Sequence, residues 1–269
     1  MMPGPSFHDS REYRQTMQNK KNNLQPKLVA HRGYAEAYPE NSLSAFQAAV
    51  DCGARYLELD VQLTRDQVPI ILHDATLQRT SSQDINVFDA DWAQFQQTHI
   101  GEPQRFGEQF KDELLLSLAQ FAHWLVAYPS VKVFVEIKEE SIQHFGKEAV
   151  LAKTLEAIAP IHAQCFLISF DACFLFYAKQ QTQIPLGFIL REYNDALRQT
   201  AINLQPDVLI SNYTKLPETD GALWPGPWEW FLYEVTDPAL AQRWHDRGAT
   251  YIETMEIKPM LEALTTTPA

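Results

Sequence analysis

Two histidines, three acids, an arginine and a lysine sit at or just past the ends of apolar runs in this sequence. The run at residues 56–61 carries Glu58 and Asp60, two positions apart. Strand side chains alternate between faces, so these two carboxylates share one face while Leu57, Leu59 and Val61 share the other. Two buried carboxylates about 4 Å apart repel by about 4 kcal/mol at an effective dielectric near 20. A hard divalent cation with oxygen ligands relieves that repulsion, and so do separate ion pairs to the scaffold. His31 and Arg32 follow the apolar run at 28–30. His73 follows another, at 68–72, after the turn Thr64-Arg65-Asp66-Gln67. A loop that short reverses the chain, so the return brings His73 beside the strand end that holds Asp60. Imidazole, with a reference pKa of ~6.5, suits proton transfer at such a place. Glu136 and Lys138 end a β-branched run at 131–137, again two apart and on one face.

The elements that must position these groups follow from apolar periodicity. After the strand at 28–30, Ser42 caps a helix whose apolar residues Leu43, Phe46, Ala49 and Val50 recur at helical spacing, and Gly53 ends it. With the strand at 56–61 this makes a βαβ unit, so the two strands are expected to be parallel neighbours. Further strands are expected at 131–137, 166–170, 186–190, 208–211, 230–235 and 251–253. Helices are expected at 118–126, 149–158, 174–179, 194–204 and 239–247. With the hairpin return counted separately, eight strands alternate mostly with helices, the pattern of an α/β (β/α)₈ TIM barrel. Active sites of such barrels lie at the C-terminal strand ends, where His31, Glu58, Asp60, Glu136 and Lys138 fall. Residues 75–116 break the rhythm and read as a small cap-like insertion after the hairpin return, with His99 on its surface. Glu139 and Glu140 read as loop charges, and the Pro- and Gly-rich stretch at 214–230 reads as a loop in place of a helix. Residues 1–26 read as a polar, mobile tail with a short helix near 12–20, and 27–269 as one barrel domain.

His31-Arg32-Gly33, Pro39-Glu40-Asn41, Phe46, Gly53-Ala54, Glu58-x-Asp60-Val61, Thr64-x-Asp66, His73-Asp74 and Arg79-Thr80 together resemble the glycerophosphodiester phosphodiesterase family. The resemblance implies hydrolysis of a deacylated phospholipid, such as glycerophosphocholine or glycerophosphoethanolamine, to glycerol 3-phosphate and an alcohol. It implies one divalent cation, Mg²⁺ or Ca²⁺, on Glu58, Asp60 and Glu136. A third acid completes an oxygen site, and Lys138 and Arg32 suit phosphoryl oxygens. His31 and His73 are then general acid and base, with the assignment between them open, as is the choice of water or a substrate hydroxyl as nucleophile. Glu40 is placed near the metal site by the resemblance and, alternatively, is an acid at a helix N-terminus. Asp74 is expected to orient His73 or a turn. The last third departs from the family pattern at Tyr233-Glu234-Val235-Thr236 and at Gly248-Ala249-Thr250-Tyr251-Ile252-Glu253-Thr254-Met255, where the family's aspartate is missing. Tyr233, Glu234 and Trp228 are therefore candidates to line the substrate pocket, Tyr233 and Glu234 alternatively to stand behind it, with core packing the favoured role for Trp228.

Composition bounds the reading. A net charge of −12 disfavours nucleic acid as a partner, and the expected partner is a small-molecule phosphodiester. Three cysteines without metal-ligand spacing suggest a reduced, cytoplasmic protein. No apolar run reaches the roughly 18 residues of a transmembrane helix, and nothing in the residues sets an oligomeric state. Two rivals remain: a lysophospholipase D-like enzyme with an apolar entrance supplied by residues 224–230, and a catalytically silent binding barrel.

Overall fold

The structure, a computed structural model, describes residues 25–217 and 222–266. Residues 1–24, which hold nearly all of the polar tail and its expected helix, lie outside the described residues, as do 218–221 within the Pro- and Gly-rich stretch.

Eight parallel strands close into a barrel: β1 (Lys27–Ala30), β2 (Tyr56–Leu63), β4 (Lys132–Ile137), β5 (Cys165–Ser169), β6 (Leu186–Leu190), β7 (Val208–Asn212), β8 (Glu229–Tyr233) and β9 (Ala249–Thr254). β1 pairs with both β2 and β9, which closes the ring. The short β3 (Pro69–Ile71) is the hairpin return, antiparallel to β2 with Val61 opposite Ile71. Helices α1 (Leu43–Asp51), α2 (Leu118–Leu125), α3 (Glu139–Phe145), α4 (Lys147–Ile158), α5 (Ala172–Gln181), α6 (Asp195–Leu204), α7 (Pro238–Asp246) and α8 (Ile257–Thr266) cover the outside. This is a (β/α)₈ TIM barrel.

The pleat sorts each strand into two cores. Leu57, Leu59, Val61, Val133, Val135 and Ile137 face outward onto the helices, with Phe46 of α1 and Phe121 of α2 in contact edge to face. Val29, Phe134, Ile168, Ile189, Ile210, Phe231 and Tyr251 face inward and plug the barrel. The inward position two residues further along a strand lies one layer nearer the C-terminal mouth. His31 lies above Val29, Glu136 above Phe134, Tyr233 above Phe231 and Glu253 above Tyr251. The plug is thus the floor of whatever sits at the mouth.

Local chemistry sets the element ends. Ser42 caps α1 by accepting from the Ala45 amide at 3.0 Å. Ser117 and Gln120 form a capping box on α2. Two helices depart from the sequence expectation. Glu139 and Glu140, read as loop charges, are instead the first turn of α3, where the helix dipole favours acids. α8 was not anticipated; its buried Ile257, Met260 and Leu264 seat it on the barrel.

The stretch after β3 contains three four-residue helical turns, at Gln78–Ser81, Trp92–Phe95 and Pro103–Phe106. It encloses a small core of its own around Leu72, Leu77, Val87, Phe95, Ile100 and Leu115. His99 lies exposed on it. Between β7 and β8 the described residues form only a 3₁₀ turn at Tyr213–Lys215 and otherwise loop. No described helix is long and apolar enough to cross a membrane.

Candidate active site

The register of β2 against β4 places Asp60 opposite Glu136, and Glu58 lies two residues before Asp60 on the same face. Ligand oxygens of Glu58, Asp60 and Glu136 all lie within 4.8 Å of one another. Glu58 and Asp60 are buried, and Oε1 of Glu58 and Oδ1 of Asp60 have no hydrogen-bond partner. Burial, then the neighbouring Asp60 and other acids, pushes the Glu58 carboxyl well above its usual range. Glu136 is also raised, by burial first. Asp60 goes the other way: burial would raise it, but Arg32 and then Lys138 hold it below the usual carboxylate range. Arg32 Nε forms an ion pair with Asp60 Oδ2 at 3.0 Å, and Asn41 Nδ2 donates a hydrogen bond to the same oxygen at 2.9 Å. Lys138 Nζ lies 2.8 Å from Glu136 Oε1 and 3.5 Å from Asp60 Oδ1. Three converging carboxylates, two with orphaned oxygens, make a donor set that fits a hard divalent cation.

His31 stands one residue past β1, its amide donating to the Thr254 carbonyl at 3.1 Å. Its Nδ1 lies 2.6 Å from Glu234 Oε2, while Nε2 lies 4.0 Å from both Glu58 Oε2 and Glu253 Oε2. Glu234 Oε1 accepts from the Met255 amide at 2.6 Å, so Glu234 ties the ends of β8 and β9 to the imidazole. Burial lowers the His31 pKa, but Glu253 and Glu234 outweigh it and leave it raised. His73 arrives from the hairpin return, its Nδ1 2.7 Å from Asp74 Oδ1. Asp74 orients His73, as expected, and also accepts from Arg79 Nε at 2.9 Å. His73 and Arg79 together lower the Asp74 carboxyl against the effect of burial.

Arg32 adopts φ +54° and Asn41 φ +57°, left-handed conformations that cost a non-glycine residue about 1–3 kcal/mol. The bend turns the Arg32 amide toward Glu58 Oε2, at 3.2 Å, and lets the Asn41 amide donate to the Arg32 carbonyl at 3.0 Å. Gly33 follows with φ +83°, packed so closely that a Cβ would lie 2.6 Å from the Ala45 carbonyl carbon. Glu40 accepts from Arg32 Nη1 at 2.9 Å and from Arg79 Nη1 and Nη2 at 2.6 and 2.8 Å. Its amide donates to Glu102 Oε1 at 2.6 Å, and Arg105 holds Glu102 at 2.8 Å. Glu40 is therefore the joint between the inserted stretch and Arg32. No spacing in the sequence marks Arg79, Glu102 and Arg105 as its partners.

A cavity of about 230 Å³ opens among these groups. His31, Arg32, His73, Glu136 and Lys138 line one side, and Ile168, Ile189, Ile210 and Phe231 form its floor. Phe170 and Tyr233 contribute aromatic walls. Burial, with Glu253 adding, pushes the Tyr233 phenol up to about 12, so it stays a neutral hydroxyl. Glu253, which the sequence reading passed over, also lines the cavity. Burial foremost pushes its carboxyl up to about 8, against the pull of His31. The signal that would have found it is the pleat: Glu253 shares a face with Tyr251, one residue before the end of the last strand. Trp228 and Trp230 are buried and Trp224 stacks on Tyr193 with centroids 3.7 Å apart. None of the three lines this cavity.

Carboxylates, cations and imidazoles ringing one hollow at the C-terminal mouth of a TIM barrel define a hydrolase built for an anionic group. A family model described as the glycerophosphoryl diester phosphodiesterase family matches residues 31–252. The chain belongs to that family; it is an enzyme, a phosphoric diester hydrolase of the glycerophosphodiester phosphodiesterase class. It is 29% identical over 185 residues to a glycerophosphodiester phosphodiesterase of Caldanaerobacter subterraneus subsp. tengcongensis, covering 66% of this chain and 74% of that one. It is 34% identical over 114 residues to a probable glycerophosphodiester phosphodiesterase 2 of Mycobacterium tuberculosis, covering 42% of this chain and 39% of that one. An Oleispira antarctica phosphodiesterase, solved in complex with the product sn-glycerol-3-phosphate, shares the fold with a TM-score of 0.78 at 21% identity, over 91% of this chain and 99% of that one.

Proposed function

We propose that the chain hydrolyses small glycerophosphodiesters, such as glycerophosphocholine and glycerophosphoethanolamine, to glycerol 3-phosphate and the free alcohol. The observation that carries this reading is the convergence of Glu58, Asp60 and Glu136 within 4.8 Å, beside two cationic side chains and two imidazoles on one cavity. The three carboxylates would hold one divalent ion, Mg²⁺ or Ca²⁺. When bound, the ion polarises a phosphoryl oxygen and offsets charge gathering on the phosphoryl group. Arg32, anchored by Glu40, presents a guanidinium to the remaining phosphoryl oxygens, and Lys138 adds a point charge. His31 and His73 carry the protons, one taking a proton from the nucleophile and the other giving one to the leaving alcohol. Each has Nδ1 beside a carboxylate, Glu234 or Asp74, which fixes the ring and leaves Nε2 to the substrate. Tyr233 and the apolar floor suit the carbon skeleton of a small diester.

A water-borne substrate is favoured over a lipid because the tryptophans at 224–230 are spent on packing. The three free cysteines suit a reducing, cytoplasmic setting. The test is release of glycerol 3-phosphate from glycerophosphocholine by wild type and His31→Ala, with a lysophospholipid as the competing substrate. Release lost in the variant supports the reading; cleavage of the lysophospholipid alone overturns it.

A further inference from the structure

Beside the three-carboxylate cluster, a second group of donors faces inward: His31, Glu58 and Glu253, with ligand atoms all within 4.8 Å of one another. We propose that these three residues form a second cation site, selective for a borderline metal such as Zn²⁺, whose occupation stops turnover by claiming His31 Nε2. The inhibitory half rests on the reading of His31 as a proton carrier; the binding half does not.

Glu253 is the independent observation. Its side chain is only 6% exposed, its carboxylate accepts no hydrogen bond among the described residues, and its one ion-pair contact is His31 Nε2 at 4.0 Å. A buried acid with no donor beside it either keeps its proton or takes a cation. Glu58 adds a second bare atom, Oε1, also buried. Geometry suits an ion: Nε2 is 4.0 Å from an oxygen of each acid. Zinc bonds of about 2.1 Å in a tetrahedral shell separate ligands by roughly 3.4 Å, so each imidazole-to-acid separation needs to close by about 0.6 Å.

The imidazole is already set up as a ligand. Nδ1 lies 2.6 Å from Glu234 Oε2, and Glu234 is itself pinned by the Met255 amide. A metal-bound histidine usually donates its other ring N–H to a carboxylate in this way, which fixes the tautomer with Nε2 free for the metal. Ligand type separates the two sites. Glu58, Asp60 and Glu136 offer only oxygen, which suits Mg²⁺ or Ca²⁺, whereas an imidazole with two carboxylates favours Zn²⁺. Glu58 borders both sites, so an ion in the second lies next to the first.

The experiment titrates the full chain with Zn²⁺ by calorimetry, with Mg²⁺ saturating, for wild type, Glu253→Gln and His31→Gln. The expected result is one Zn²⁺ per wild-type chain, bound at least tenfold more weakly in each variant. X-ray absorption on the wild-type zinc complex is expected to show one imidazole nitrogen and otherwise oxygen. Equal affinity in all three proteins, no zinc binding, or a shell without imidazole overturns the site. In parallel, the zinc concentration that halves glycerol 3-phosphate release is measured for wild type and Glu253→Gln, each against its own zinc-free rate; Glu253→Gln is expected to raise it at least tenfold, and an unchanged value overturns the inhibitory role. Absence of turnover in wild type without zinc would instead refute the functional reading, and the binding result would still judge the site.

Discussion

Replacing Glu234 by Gln is expected to cripple the enzyme without unfolding it, for a reason that follows from two hydrogen bonds. Glu234 Oε1 accepts from the Met255 amide and Oε2 meets His31 Nδ1, each at 2.6 Å. Gln has one oxygen and one amide nitrogen. With the oxygen kept on the Met255 amide, the NH₂ group faces Nδ1 and can only donate. His31 must then accept at Nδ1 and carry its proton on Nε2, the opposite tautomer from the one Glu234 selects. A hydrogen bond to a charged group contributes about 1.5–3 kcal/mol, and each 1.4 kcal/mol is a factor of about ten, so kcat/KM should fall roughly 10- to 100-fold. Glu253 and Glu234 raise the His31 pKa against burial, so loss of one negative charge lowers it. The limb of the pH–rate profile that reports His31 should therefore move toward acid. The assay is glycerol 3-phosphate release from glycerophosphocholine between pH 5 and 9, with a thermal melt as control. An unchanged rate and an unmoved limb, at an unchanged melting temperature, would refute the reasoning.

Other consequences are equally direct. Glu40→Gln removes the acid that holds Arg32 and Arg79; because Arg79 is 42% exposed, the loss is put at about 2 kcal/mol. The Glu40 carboxyl is lowered in the fold by Arg79 and Arg32, against burial, so its stabilisation is present above the unfolded value of about 4.5 and is lost as pH falls through the lower folded value. Melts of wild type and Glu40→Gln should converge in acid and separate at neutral pH. Glu58→Gln should do the reverse in EDTA: a carboxyl raised by burial and like charge destabilises the metal-free fold at neutral pH. That variant should melt higher than wild type at pH 8 and not at pH 4, and a lower melt at pH 8 would contradict the repulsion. Gly33→Ala, with φ +83° and a Cβ 2.6 Å from the Ala45 carbonyl carbon, should lose about 2 kcal/mol or more by chemical denaturation.

The pleat made much of this site legible. Glu58 and Asp60 were readable because carboxylates two apart in an apolar strand demand a counter-charge, and the 60–136 pairing delivers the third acid. His73 was readable because a four-residue turn leaves the chain no choice but to return. Glu253 was not, since its strand reads as an ordinary last element and its meaning depends on closure against β1, which sets it opposite Val29. Glu234 was legible only as a candidate to line the pocket or stand behind it; its contacts with His31 and the Met255 amide, which join the ends of β1, β8 and β9, follow from barrel closure and not from local spacing. The salt-bridge joint at Glu40 draws Arg79 and Glu102 from the inserted stretch, and no local periodicity reports such distant pairing. Glu139 and Glu140 were misread because two acids before a short helix look alike whether they cap it or float in a loop.

The central claim is that Glu58, Asp60 and Glu136 hold the ion that hydrolysis needs. The direct measurement is glycerol 3-phosphate release from glycerophosphocholine by EDTA-stripped enzyme as Mg²⁺ or Ca²⁺ is added back, for wild type and Glu136→Gln. The account predicts release restored by added ion in wild type and not in the variant. Full release by the stripped enzyme, or full restoration in Glu136→Gln, would contradict it.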